Sequence, residues 1–82
     1  PSVAEQMQTR SRMQALSDAL AKLPERQAQA VSLRHLEGLS NPEIAKIMDT
    51  NVRSVESLTA RGKRALAGIM AGRRDELGYD DD

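Results

Sequence analysis

The stretch SNPEIAKIMDTNVRSVESLTARGKRAL, residues 40–66, decides the fold. It opens on Ser40-Asn41-Pro42-Glu43, a capping box. In that motif a serine side chain accepts from the amide three residues on, and the glutamate there reaches back to the serine amide. Pro42 stands near the helix start, where proline is tolerated. Ile44, Ala45, Ile47 and Met48 follow at helical spacing, and the short helix is expected to end near Asp49. Asp49-Thr50-Asn51 reads as a turn, with Asn51 as N-cap of the next helix. That helix is expected to run from Val52 to about Ala71, roughly 30 Å long, and to break at Gly72.

This long helix has two faces. Val55, Leu58, Gly62, Ala65, Leu66 and Ile69 are apolar or small and can pack on the preceding helices. Arg53, Glu56, Ser57, Ala60, Arg61 and Arg64 recur at steps of three and four and remain free to enter a groove. A short capped helix, a tight turn and a long basic helix make the helix-turn-helix layout. The chemistry of the free face suits base edges. Arginine can bond bidentately to guanine, glutamate can accept from cytosine, serine can serve either way, and alanine can touch a thymine methyl. Arg53, Glu56, Ser57, Ala60 and Arg61 are therefore the candidate base readers. Lys63 and Arg64, nearer the C-terminal end, suit phosphates, which set affinity while base contacts set specificity.

Working outward, the chain reads as an all-α, four-helix domain with a C-terminal helix-turn-helix. A first helix is expected over Val3–Lys22, with Met13, Leu16, Leu20 and Leu23 as its apolar stripe. Residues 1–12 are polar and read as an extension or linker that frays. A second helix starts at Pro24, a residue suited to the first turn. Val31, Leu33 and Leu36 are its expected core contacts, and Gly38 ends it. Residues 13–72 form the domain proper. Residues 73–82 hold no core-forming content and read as a disordered acidic tail.

With 82 residues the chain makes one small domain. It has no cysteine and one histidine, His35, which excludes thiolate and histidine-rich metal sites. A lone histidine of this kind is structural or exposed, and Met7, Met13, Met48 and Met70 read as core filler. No glycine-rich phosphate loop or nucleophile-and-base pattern appears, so an enzyme is rejected and no cofactor is called for. No signal peptide or membrane span is visible, which points to the cytoplasm. The zero net charge hides a gradient. Residues 1–50 balance, residues 51–74 carry an excess of five positive charges, and residues 75–82 carry five negative ones. The tail is a solubilising end, or else a phosphate mimic that folds back on Arg61, Lys63 and Arg64.

Leu23-Pro24-Glu25-Arg26-Gln27, Leu33-Arg34-His35-Leu36-Glu37-Gly38-Leu39-Ser40, Glu43-Ile44-Ala45-Lys46-Ile47-Met48, Val55-Glu56-Ser57-Leu58 and Arg61-Gly62-Lys63-Arg64-Ala65-Leu66 stand in this order along residues 13–67. In that order and spacing the chain resembles the fourth domain of bacterial sigma factors, most closely the extracytoplasmic-function group. The resemblance implies a domain that reads the minus-35 promoter element while attached to the RNA polymerase core, where it meets the flap of the beta subunit. It implies an anti-sigma factor as a further partner. By likeness, Glu56, Ser57, Ala60 and Arg61 fall where the family reaches bases, and Arg34 and Ser54 where it touches phosphates. The chain departs from the pattern at Glu56, where lysine or arginine is common, and at Thr59, where leucine or isoleucine is usual. It departs again at Gly62, where alanine is usual and glycine costs a helix interior about 1 kcal/mol.

Two other readings fit parts of the sequence. Gly38-Leu39-Ser40-Asn41 followed by Glu43-Ile44-Ala45 also looks like a response-regulator effector domain, which dimerises on two half-sites. Glu56 and the zero net charge fit a protein-interaction module that keeps the fold and binds an anti-sigma partner alone.

Overall fold

The computed structural model describes the backbone of residues 2–76 and the side chains of residues 2–72. It contains α1 (Val3–Ala21), α2 (Glu25–Val31), a π turn that prolongs α2 (Ser32–Leu36), α3 (Asn41–Ile47) and α4 (Val52–Glu76). No strand occurs among the described residues. The all-α fold and its C-terminal helix-turn-helix, α3 and α4, are as the sequence predicts. None of the described helices is long and apolar enough to cross a membrane.

α1 starts on a second capping box. The Ser2 hydroxyl accepts from the Glu5 amide at 3.2 Å, and the Glu5 carboxylate accepts from the Ser2 amide at 3.3 Å. Residues 3–12, expected as a fraying extension, are thus continuous with the helix, although every side chain from Ser2 to Gln14 is exposed. The stripe expected from Met13 needs correction, because Met13 is 67% exposed. Ala15, Ala19 and Leu23 form the buried line instead, with Leu16 and Leu20 half-buried beside it. Alanine at a four-residue step lets α1 come close to its neighbours, and Met13 precedes the point where the helix meets them.

The second expected helix also needs correction at its end. After Val31 the chain widens into a π turn, and the Glu37 amide donates to the Ser32 carbonyl at 3.1 Å. A π turn holds more residues than an α turn, so Leu36 rotates off the line set by Leu33. It is 57% exposed rather than a core contact. Gly38 at φ +72° then closes the helix, and the Leu39 amide donates to the Leu33 carbonyl at 3.0 Å. Only glycine takes that conformation without strain.

Ala30, Ile44, Ala45, Met48 and Val55 form the core, with Leu33, Leu39 and Leu58 packed against them. α4 is the central element and packs on α2, α3 and α1. Its crossing with α2 explains Gly62. A Cβ at that position would meet Val31 Cγ2 at 2.5 Å and the Gln27 carbonyl oxygen at 3.3 Å. The residue read as a helix weakness is therefore the point of closest approach. Thr59 is also accommodated, since its hydroxyl donates to the Glu56 carbonyl at 3.0 Å. α4 does not break at Gly72 but runs to Glu76. Glycine in an exposed helix interior costs only about 1 kcal/mol, and nothing lies near Gly72 to stop the helix. Of the acidic tail expected over residues 73–82, residues 73–76 belong to α4 and residues 77–82 lie outside the described residues.

Candidate nucleic-acid interface

Local sequence positions α4 in three steps. Ser40 caps α3: its hydroxyl accepts from the Glu43 amide at 3.3 Å, while the Glu43 carboxylate accepts from the Ser40 amide at 3.1 Å and the Ser40 hydroxyl at 2.8 Å. These bonds hold the Glu43 carboxyl below its usual range, through the Ser40 amide first and its hydroxyl second. The turn follows, with the Met48 amide on the Ile44 carbonyl at 2.8 Å and the Thr50 amide on the Ala45 carbonyl at 2.9 Å. Asp49 takes φ +54°, a left-handed conformation that short polar side chains tolerate best after glycine. Finally Asn51 Oδ1 accepts from the Ser54 amide at 2.8 Å, capping α4. Fully buried Ile44 and Val55 lock α3 and α4 together.

Arg53, Glu56, Ser57, Ala60, Arg61 and Arg64 are all exposed. Their three- and four-residue steps place them along one side of α4, opposite buried Val55 and Gly62. The structure therefore brings together all five candidate base readers and one of the phosphate candidates. Ala60 and Ser57 keep the middle of the row low, with arginines at both ends. Arg64 Nε lies 3.5 Å from the Ala60 carbonyl, which draws its stem along the helix.

The remaining phosphate candidates are dispersed. Half-buried Ser54 lines a cleft of about 370 Å³ with Ser57, Leu58, Thr50 and Arg26. Arg34 sits in the π turn, where its Nη1 donates to the Leu39 carbonyl at 2.9 Å. That bond uses one of five guanidinium donors. Lys63 stands two residues from Arg61, on the other flank of α4. It borders an apolar groove of about 280 Å³ formed with Leu16, Leu20, Val31, Leu36 and Met70 among others.

Arg26 is not among the candidates that the sequence offers. Its Nη2 donates to the Met48 carbonyl at 3.4 Å, spanning from α2 to the end of α3. The guanidinium thus stands beside the α4 N-terminus, where helix amides and the helix dipole already favour an anion. A single arginine so distant in sequence from α4 gives no charge run, so no spacing argument could have found it.

Comparisons with known proteins agree with this geometry. The family model described as Sigma-70, region 4 matches residues 13–66. The ECF RNA polymerase sigma factor BldN of Streptomyces coelicolor is 39% identical over 56 residues, covering 68% of this chain and 21% of that protein. The chain therefore spans about a fifth of the length of this relative. The matched residues contain α2, the π turn, α3 and the whole exposed row of α4 through Arg64. The chain belongs to the sigma-70 region 4 family, the promoter-binding domain of sigma factors.

Proposed function

We propose that this chain reads the minus-35 promoter element through α4 for an RNA polymerase holoenzyme, in the cytoplasm. The observation that carries this reading is the exposed row Arg53, Glu56, Ser57, Ala60, Arg61 and Arg64 on a helix whose opposite side is fixed in the core. Arg53, Glu56, Ser57, Ala60 and Arg61 meet base edges in the major groove. Arg64 on one side, and Arg26, Thr50 and Ser54 around the α4 N-terminus on the other, hold the flanking phosphates. Arg34, steadied by the Leu39 carbonyl, reaches a further phosphate. The other flank of α4 serves the polymerase. The apolar groove bounded by Leu16, Leu20, Leu36, Leu66 and Met70 receives the flap of the beta subunit. Lys63 belongs to that surface rather than to the DNA surface. An anti-sigma factor, as the family implies, competes for this domain.

The test is selection from a duplex library of randomised minus-35-like sequences at two salt concentrations. The expected outcome is one short asymmetric site, bound more weakly as salt rises. A palindromic site would replace this reading with a dimeric response-regulator mode. No enrichment at either salt would leave a module that binds proteins alone.

A further inference from the structure

The basic row holds one residue of opposite sign. Glu56 is the only acidic residue between Val52 and Gly72, and it stands among Arg53, Arg61, Lys63 and Arg64. Its side chain is exposed, and no hydrogen bond or ion pair engages its carboxylate among the described residues. The neighbours one turn away explain this. Arg53 precedes Glu56 by three residues, the poorer order for a helical ion pair. Thr59 and Ala60 follow where a cation would have paired with it. The Thr59 hydroxyl turns to the Glu56 backbone carbonyl, and the Arg64 guanidinium is drawn to the Ala60 carbonyl. Nor does Glu56 serve as an end charge of α4. The first turn of α4 has no acidic residue, and Glu56 lies beyond that turn, where the helix dipole has faded.

An uncompensated carboxylate opposes entry into a groove. The phosphates on both walls repel it, and its own hydration is stripped as it descends. That loss is offset only where the groove floor presents a hydrogen-bond donor. In the major groove two bases do so, cytosine through N4 and adenine through N6. Adenine sets its N7 acceptor beside N6, so a carboxylate there meets a second lone pair. Cytosine presents the amino group alone. Guanine and thymine present acceptors and turn a carboxylate away.

We infer that Glu56 fixes a cytosine at one position of the site, more by rejecting other bases than by adding affinity. This rests on the promoter-reading function proposed above and supplies a base identity that the reading leaves open. Glu56 lowers affinity for every duplex, and lowers it least where that cytosine stands. Arg61 lies five residues on, about 7.5 Å along the helix axis and about 140° around it. At about 3.4 Å per base pair, the two side chains address positions about two pairs apart.

The test is the duplex selection repeated on the full chain with Glu56→Gln, Glu56→Ala and Glu56→Lys beside wild type. Glu56 is exposed and outside the core, so the circular dichroism of all three should match wild type. Wild type is expected to select cytosine at one position and to bind about 5–150-fold more weakly when thymine replaces it. Glutamine keeps the shape, drops the charge and pairs with adenine N6 and N7, so Glu56→Gln should move the preference to adenine there alone. Glu56→Lys should move it to guanine, and Glu56→Ala should leave that position open. All three should bind scrambled duplexes more tightly than wild type. Variants that tighten binding to every duplex equally and leave the selected bases unchanged overturn the inference, making Glu56 a solvated charge beside phosphates. A change at the position relaxed by Arg61→Ala, rather than about two pairs from it, also overturns it. The two levels fail separately. A wild type that enriches no sequence removes the promoter reading and this inference with it. A site enriched alike by wild type and all three variants removes the role of Glu56 alone.

Discussion

Gly62 of α4 and Val31 of α2 meet at a crossing that leaves no space for a methyl group: an added Cβ would lie 2.5 Å from Val31 Cγ2. Val31 is β-branched and stiff, and the second neighbour is the Gln27 backbone carbonyl. Gly62→Ala gains about 1 kcal/mol of helix propensity but overpacks the crossing by about 1–3 kcal/mol. The expected net result is a lower midpoint in chemical denaturation. Adding Val31→Ala removes the clash, so the pair should be less destabilised than the sum of its single changes.

Ser40 and Glu43 cap the helix that begins the helix-turn-helix. Ser40→Ala should cost about 0.5–2 kcal/mol. Its pH dependence has a definite sign. The Glu43 carboxyl is held below its usual value, so the capping contribution is complete above the ordinary glutamate range and lost as pH falls through the folded value. Thermal melts of wild type and Ser40→Ala should therefore differ most near neutral pH and less in acid, where the bond from the Glu43 amide to the Ser40 hydroxyl still separates them. A constant gap at all pH values would assign the whole loss to that bond and to packing rather than to the Glu43 carboxylate.

Ile44 is fully buried between α3 and α4. Ile44→Val should cost about 0.5–1.5 kcal/mol and Ile44→Ala about 2–5 kcal/mol. For a chain of this size the second figure is a large part of the total stability. Circular dichroism of Ile44→Ala should show premature melting of the whole domain, with α3 and α4 lost in one transition.

The three basic residues Arg61, Lys63 and Arg64 should behave differently although they are sequence neighbours. Arg61→Ala is expected to relax preference at one base position, at about 1–3 kcal/mol. Arg64→Ala should weaken all duplexes alike and reduce the salt slope by about 1. Lys63→Ala should leave both nearly unchanged, because Lys63 borders the apolar groove on the other flank. Binding isotherms over a salt series on selected and scrambled duplexes separate these three outcomes.

Arg26 offers a fourth test of the site. Arg26→Ala removes both a cation beside the α4 N-terminus and the bond to the Met48 carbonyl. DNA affinity should fall across all sequences, with a loss of stability of about 1 kcal/mol. Arg26→Lys should recover much of the affinity, since it restores the charge near the phosphates.

Where local rules govern, the sequence was readable. The capping box at Ser40 and Glu43, the Asn51 cap and the Gly38 terminus depend on neighbours three to six residues away, and each appears as expected. The two faces of α4 follow from helical period alone. What could not be read depends on other elements. Met13 has the right spacing but lies where α1 has no neighbour to cover it. Leu36 turns outward because of a π turn that no propensity signals. Gly62 looks like a weakness until α2 is placed against it. The placement of Arg26 beside Thr50 and Ser54, and of Lys63 beside the apolar groove, was hidden for the same reason, since a charge count along the chain does not say which flank of α4 a cation occupies.

Val31 has a further consequence. The same side chain lines the apolar groove and bears on Gly62. The helix that carries the basic row is also a wall of that groove, through Lys63, Leu66, Ala67 and Met70. Whatever wedges against Val31 from the groove pushes on α4 at its tightest crossing, and α4 is a rigid arm of 25 residues. With DNA on the basic row and a partner in the groove, as proposed above, both would bear on this one helix, and each is expected to alter the binding of the other.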